Sequence, residues 1–193
     1  MKTTSTAVVS LIRPTGAIRE LSLAAIANLL LVACAYIRID LPFSPVPITG
    51  QTFGVLLIAM ALGRIRATGV VGAYLIEGAM GLPVFAGGAA GAQVFLGPTG
   101  GYLLAFLPAA WLVGYLADRG WDRAYRLSLP AMALGTAVIF GGGLSWLAAY
   151  VPSEGLLEAG LFPFIPGALV KIAVAALILP SVWKALGRHR PAE

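Results

Sequence analysis

The chain has 193 residues, 59% of them hydrophobic and only 11% charged, with a formal net charge of +5. Soluble domains carry about 25% charged residues, and a chain this short leaves much of its surface uncovered. The composition therefore excludes an ordinary soluble globule and points to lipid as the solvent. The basic residues sit in short segments between apolar runs and form no basic face interleaved with aromatics, which excludes a nucleic-acid-binding protein.

In chain order, apolar stretches cover residues 18–37, 46–63, 68–81, 100–116, 127–151 and 167–186. A helix crossing the hydrocarbon core needs about 20 residues, within a range of roughly 17–25. The first, fifth and sixth stretches meet that length. The third is short, and the second opens on a proline-rich run at Pro42, Pro45 and Pro47. Such segments suit a membrane where protein or a cavity shields their backbone. Near the N-terminus, Arg13 and Pro14 interrupt the short apolar run, so no cleaved signal peptide is expected. Cys34 has no disulfide partner in the chain and reads as a small apolar filler.

The basic residues alternate between connections. Lys2, Arg13 and Arg19 precede the first stretch, and Arg64 and Arg66 separate the second from the third. Arg119, Arg123 and Arg126 separate the fourth from the fifth, and Lys184, Arg188 and Arg190 follow the sixth. The intervening connections hold only Arg38, and Lys171 lies inside the sixth stretch. An excess of Lys and Arg marks cytoplasmic loops. The pattern predicts an all-α membrane protein: one domain over residues 1–193, a bundle of six transmembrane helices, and both termini cytoplasmic.

The opposite connections, 40–49, 82–99 and 152–166, are longer and rich in Gly and Pro. Residues 82–99, LPVFAGGAAGAQVFLGPT, carry no charge. Free linkers are polar, so this segment is expected to fold back on the bundle, as a lid or re-entrant segment or as a partly buried hairpin. Gly141, Gly142 and Gly143 in the fifth stretch mark a helix weak point or a close-packing surface.

Two ionisable residues interrupt apolar stretches, Glu77 and Lys171. Charges at bilayer depth are costly and face a partner or a cavity. They either pair with each other or serve a ligand, with Lys171 as the cation for an anionic group. Gln51, Thr52, Gln93, Thr99 and Tyr102 add amides and hydroxyls near the same end, and Phe43, Phe85 and Phe95 offer aromatic walls. A few placed polar groups in an apolar pocket are the general form of a small-molecule site. The chain has no G-x-x-x-x-G-K-[ST] motif to hold ATP. One histidine, His189, and one cysteine leave no zinc site and no Ser-His-Asp set at membrane depth. The residues point to solute capture and not to an enzyme.

SPVPITGQTFGVLL (44–57), GLPVFAGG (81–88), GPTGGYLLAF (97–106) and FIPGALVK (164–171) resemble, in order, the motifs of the BioY family. The resemblance runs from about residue 19 to residue 186. It implies a six-helix, biotin-specific S component of an energy-coupling-factor (ECF) transporter, with biotin held near the outer face. It also implies partners: a transmembrane coupling subunit and two ATP-binding subunits. Lys171 matches the family's lysine and would meet the carboxylate or the ureido oxygen of biotin. The loop holding Phe85, Gly87 and Gly88 is similar to a ligand-covering loop. With Glu77, Gln51, Gln93 and Tyr102, these residues form the expected ligand-binding set.

Two positions depart from the family pattern. Ala168 stands where an acid is usual, and Glu77 or Gln51 would have to substitute for it. In 18–37, Ala24, Ala25, Ala27, Ala33 and Ala35 give no two alanines four apart, which departs from the docking pattern of S components. Capture of a different small vitamin is one alternative, and a partner-independent carrier using Glu77 and Lys171 is another. A membrane enzyme with Glu77 as acid lacks a second catalytic group.

Overall fold

The structure is a computed structural model that describes residues 16–185. The expectations that rest on Arg13, Pro14, His189 and the basic residues near both chain ends lie outside the described residues.

Helix α1 (Ala17–Tyr36) runs into a two-residue strand, β1 (Arg38–Ile39), which pairs antiparallel with β2 (Ile48–Thr49). Arg38 faces Thr49 and Ile39 faces Ile48 in register. The second apolar stretch therefore begins as a strand. Pro45 and Pro47 supply no backbone N–H and bias the residues before them toward extended backbone. Helix α2 (Gln51–Leu62) starts only beyond them.

Gly63, at φ +76°, is the whole connection between α2 and α3 (Arg64–Ala79). The third stretch thus forms helix one turn earlier than its apolar residues suggest. Helix α4 (Gly100–Asp118) follows the glycine-rich segment, and α5 (Tyr125–Leu147) follows a short turn at residues 119–124. A one-turn helix, α6 (Leu156–Gly160), precedes α7 (Ile165–Ala185).

Helix α4 is the hub and packs on α2, α3 and α5. Its contact with α5 is made by small residues. A Cβ on Gly101 would lie 2.1 Å from the Cβ of Trp146, and one on Gly143 would lie 2.2 Å from the Tyr102 ring. Close approach of this kind is how helices associate where lipid removes the hydrophobic drive. Of the glycines of the fifth stretch, Gly142 and Gly143 pack α5 on α4, and α5 runs through all three unbroken.

Helices α4 and α5 and the stretch Ser153–Ala185, which contains α7, are long and apolar enough to cross a membrane. The part Glu20–Tyr36 of α1 and helix α2 are shorter apolar helices. Leu21, Leu29, Leu169, Val170 and Leu177 point outward from α1 and α7, as side chains do when lipid replaces water outside the fold. By connectivity, α1, α3 and α5 end, and α2, α4 and α7 begin, at one end of the bundle. The three Gly/Pro-rich connections gather there. Arg64, Arg119, Arg123 and Lys184 lie at the other end.

Candidate ligand-binding site

A cavity of about 260 Å³ opens at the end of the bundle that carries the long connections. That is just below the ~300–1,000 Å³ of most small-molecule pockets. Its wall comes from all three connections and from α2, α4, α5 and α7. Val46, Leu56, Leu103, Phe106, Ile139, Phe140 and Phe164 make it mostly apolar, and Arg38, Thr49, Gln51, Thr52, Thr99, Tyr102, Thr136 and Lys171 supply the polar groups. Two of these are cations. No acid lines the cavity among the described residues.

Lys171 is half-buried on α7. Its ammonium donates to the carbonyl of Thr49 and, at 3.2 Å, to the hydroxyl of Thr52. It is anchored where β2 turns into α2, and it forms no ion pair among the described residues. A lysine held by two neutral acceptors keeps its charge uncompensated, so an anionic ligand group would be its natural partner.

Gln51 opens α2 and is 4% exposed. Its amide oxygen accepts from the Thr49 hydroxyl at 3.0 Å, and its amide nitrogen donates to the Tyr74 hydroxyl at 2.6 Å. A glutamine amide has two N–H donors and two lone pairs. One donor and one acceptor therefore remain for a bound molecule. Tyr74 in turn donates to the carbonyl of Val84 at 2.9 Å. This relay connects the cavity wall to residues 82–99.

Those residues do fold back over the cavity. Phe85, Ala86, Ala89, Val94, Pro98 and Thr99 all face it. Phe85 is 1% exposed and sits edge-on to Tyr74 and Phe95, with ring centroids 5.5 Å apart in each case. It fits because Gly78 has no side chain; a Cβ there would fall 2.0 Å from the ring. The segment is tied down at several points. Tyr36 donates to Pro83 O at 2.7 Å, Arg38 to Ala86 O at 3.0 Å, Gly91 N to Gly78 O at 2.7 Å, and Trp146 to Gly97 O at 3.0 Å. The Tyr150 hydroxyl donates to Leu96 O. The segment is a lid.

Of the eight residues singled out in the sequence, the structure brings Lys171, Gln51, Phe85 and Tyr102 to the cavity. Tyr102 donates inward to Gly160 O at 2.8 Å and so fixes α6 over the site. Gly87 and Gly88 shape the lid instead of lining the cavity. Their φ values of +67° and +81° form the turn between Phe85 and Ala89. Gln93 faces outward and donates to Ala90 O at 2.8 Å. Phe43, named as a wall, is 63% exposed and does not line the cavity.

Glu77 is in a different place. It lies in a groove between α1 and α3, where both carboxylate oxygens accept from the Asn28 amide at 3.0 Å. Of the two readings of Glu77 and Lys171, the mutual ion pair does not occur. Helix α2 packs against both α3 and α7, and Asn28 meets the Glu77 carboxylate. Of the two substitutes for an acid at Ala168, Gln51 lines the cavity and Glu77 does not.

The sequence reading missed Arg38, Thr49 and Thr136 as lining residues. Arg38 had a signal, since it is the one basic residue in the connections at this end. Its guanidinium is held by Asp40 at 2.6 Å at the cavity mouth. Thr136 had only the weak signal of a hydroxyl within an apolar run, and in α5 it donates to Met132 O at 2.9 Å.

Comparisons with known proteins identify relatives of the chain in both sequence and fold. A model of the BioY family matches residues 2–188. A biotin transporter BioY of Thermotoga maritima is 42% identical over 161 residues, covering 83% of this chain and 93% of that protein. One from Rhizobium etli is 36% identical over 170 residues, covering 83% and 90%. A crystal structure of the S component for biotin from an ECF-type ABC transporter superposes with a TM-score of 0.79 and 30% identity, covering 86% of this chain and 92% of that one. By sequence and by fold, the chain belongs to the BioY family.

Proposed function

We propose that the chain captures biotin in the lidded cavity and serves its uptake across the cytoplasmic membrane as the substrate-specific subunit of an ECF-type transporter. The observation that carries this reading is the cavity itself. It has the size for one small vitamin, an apolar wall for the ring system, and two lining cations, of which Lys171 has no acid beside it and Arg38 is held by Asp40 at the mouth. Biotin presents matching groups: a carboxylate, a ureido ring and an apolar sulfur-containing ring. The BioY relatives and the biotin S component of like fold support the assignment.

In this reading Lys171 and Arg38 attract the carboxylate or the ureido oxygen. Gln51 offers its free N–H and lone pair to the ureido group, while Phe85 and Tyr102 enclose the rings. Helices α1–α5 and α7 span the bilayer together as a six-helix bundle, the short α2 and α3 shielded by their neighbours, the basic end faces the cytoplasm, and both termini lie on that side. The alternating Lys and Arg support this orientation. A coupling transmembrane subunit and two ATP-binding subunits supply the energy, in keeping with the lack of an ATP-holding motif in the chain.

The test is equilibrium binding of labelled biotin to the chain purified alone in detergent, beside Lys171→Met. Saturable, tight binding that is lost in the variant is the expected result. Binding that is equal in both would remove Lys171 from the site. No binding in a folded wild-type sample would remove biotin as the ligand.

A further inference from the structure

At the end of the bundle away from the cavity, α4 carries Trp111 and Tyr115, and Arg119 caps its last turn. Their four-residue spacing puts them on one stripe of the helix. The Trp111 and Tyr115 rings stack with centroids 5.5 Å apart and planes within 5°. The Arg119 guanidinium lies 4.1 Å from the Tyr115 centroid. Arg64, the first residue of α3, brings a second guanidinium to 5.7 Å from both centroids.

Two like charges thus share one aromatic pair. Neither Arg64 nor Arg119 takes part in the ion pairs Arg38–Asp40 and Arg66–Glu20, which lie elsewhere on the bundle. The acid beside them, Asp118, accepts from the backbone N–H of Arg64 at 3.2 Å. Aromatic faces attract a guanidinium only in part. An anion at this corner would meet guanidinium charge that no carboxylate side-chain pair offsets, and the planar fork of arginine suits phosphate.

We propose that this corner binds the phosphate headgroup of an anionic phospholipid. Trp111, 47% exposed, and Tyr115 sit where aromatic residues anchor at headgroup depth. The same face of α4 continues toward the middle of the helix through Leu107 and the exposed Leu104, an apolar track for an acyl chain. A charged head beside an apolar track fits a lipid and not a free phosphate. Basic pockets between transmembrane helices hold acidic headgroups in this way. The site requires that the chain lie in a bilayer. It does not depend on which end faces the cytoplasm, on biotin, or on the ATP-coupled partners.

The test uses the full chain in phosphatidylcholine vesicles with a fixed fraction of either brominated phosphatidylglycerol or brominated phosphatidylcholine. Tryptophan quenching, with a Trp111→Phe sample as baseline, gives the relative occupancy of the two lipids at Trp111. The expected preference for phosphatidylglycerol is roughly fivefold for each arginine, falling with salt and falling to unity in R64Q/R119Q. R126Q, at the same end of the bundle, should keep the full preference. Equal quenching by both lipids in the wild type overturns the proposal, whatever the fate of the variants. A preference that persists in folded R64Q/R119Q overturns it as well.

Discussion

Gln51 donates to the Tyr74 hydroxyl at 2.6 Å, and Tyr74 passes the bond on to Val84 of the lid. One phenol therefore joins the cavity wall to its cover. Tyr74 is fully buried, so neither neighbour could turn to water if that phenol were lost. Tyr74→Phe should strand a Gln51 N–H and the Val84 carbonyl at a cost of about 1–3 kcal/mol. The expected outcome is a lower melting temperature in detergent and faster biotin release. Thermal denaturation and a chase of bound label measure the two effects.

Gly78→Ala tests the seat of Phe85. The added methyl would overlap the ring, whose nearest atom lies 2.0 Å from the new carbon. Neither the ring, packed between Tyr74 and Phe95, nor the α3 backbone can give way by that much. The lid should lift, and biotin affinity should fall by at least tenfold with the helices still folded. Circular dichroism and equilibrium binding check both halves of that expectation.

Ala168→Asp tests the missing acid. Residues 168 and 171 lie three apart on α7 and share a face toward the cavity. A carboxylate there could accept both ureido N–H groups, and hydrogen bonds to a charged group are worth about 1.5–3 kcal/mol. The expected gain in biotin affinity is roughly tenfold or more. A titration in which the variant binds no tighter than wild type would show that Gln51 already fills that role.

Asp122 carries the clearest pH signature. It sits in the turn before α5, fully buried, and accepts from the Trp183 indole of α7 at 2.7 Å. Burial pushes its pKa up to about 6, from an ordinary 3.8, against the opposing pull of the Trp183 bond and of Arg123. The folded state thus holds the proton more tightly than the unfolded chain does. Its contribution is fully present below pH 3.8, and it declines as pH rises through about 6. Melting temperatures between pH 4 and 7 should show this decline in wild type. Asp122→Asn should flatten it, because an amide oxygen still accepts from Trp183 and no longer titrates.

Much of the helix order was legible in the sequence because lipid solvation leaves its mark in long apolar runs and in alternating basic loops. The β1–β2 hairpin was not, since only the prolines at 45 and 47 hint that the second stretch begins extended. Lys171, Gln51, Phe85 and Tyr102 were legible as lining residues because a polar or aromatic side chain near one end of an apolar helix has few uses there. Glu77 misled for the same reason. Its partner, Asn28, is a single amide within α1, and no spacing rule pairs residues 49 apart. Arg38 reaches the cavity only because the hairpin turns it toward Ala86, a consequence of tertiary structure.

The lid is tied to α1 through Tyr36, to α3 through Tyr74 and Gly78, and to α5 through Trp146 and Tyr150. A cover fastened to three separate helices cannot swing open as a flap while those helices stay still. Exit of the solute is then a property of the whole bundle: anything that spreads α1, α3 and α5, from lateral pressure in the lipid to a protein leaning on their far ends, sets how long the cargo stays.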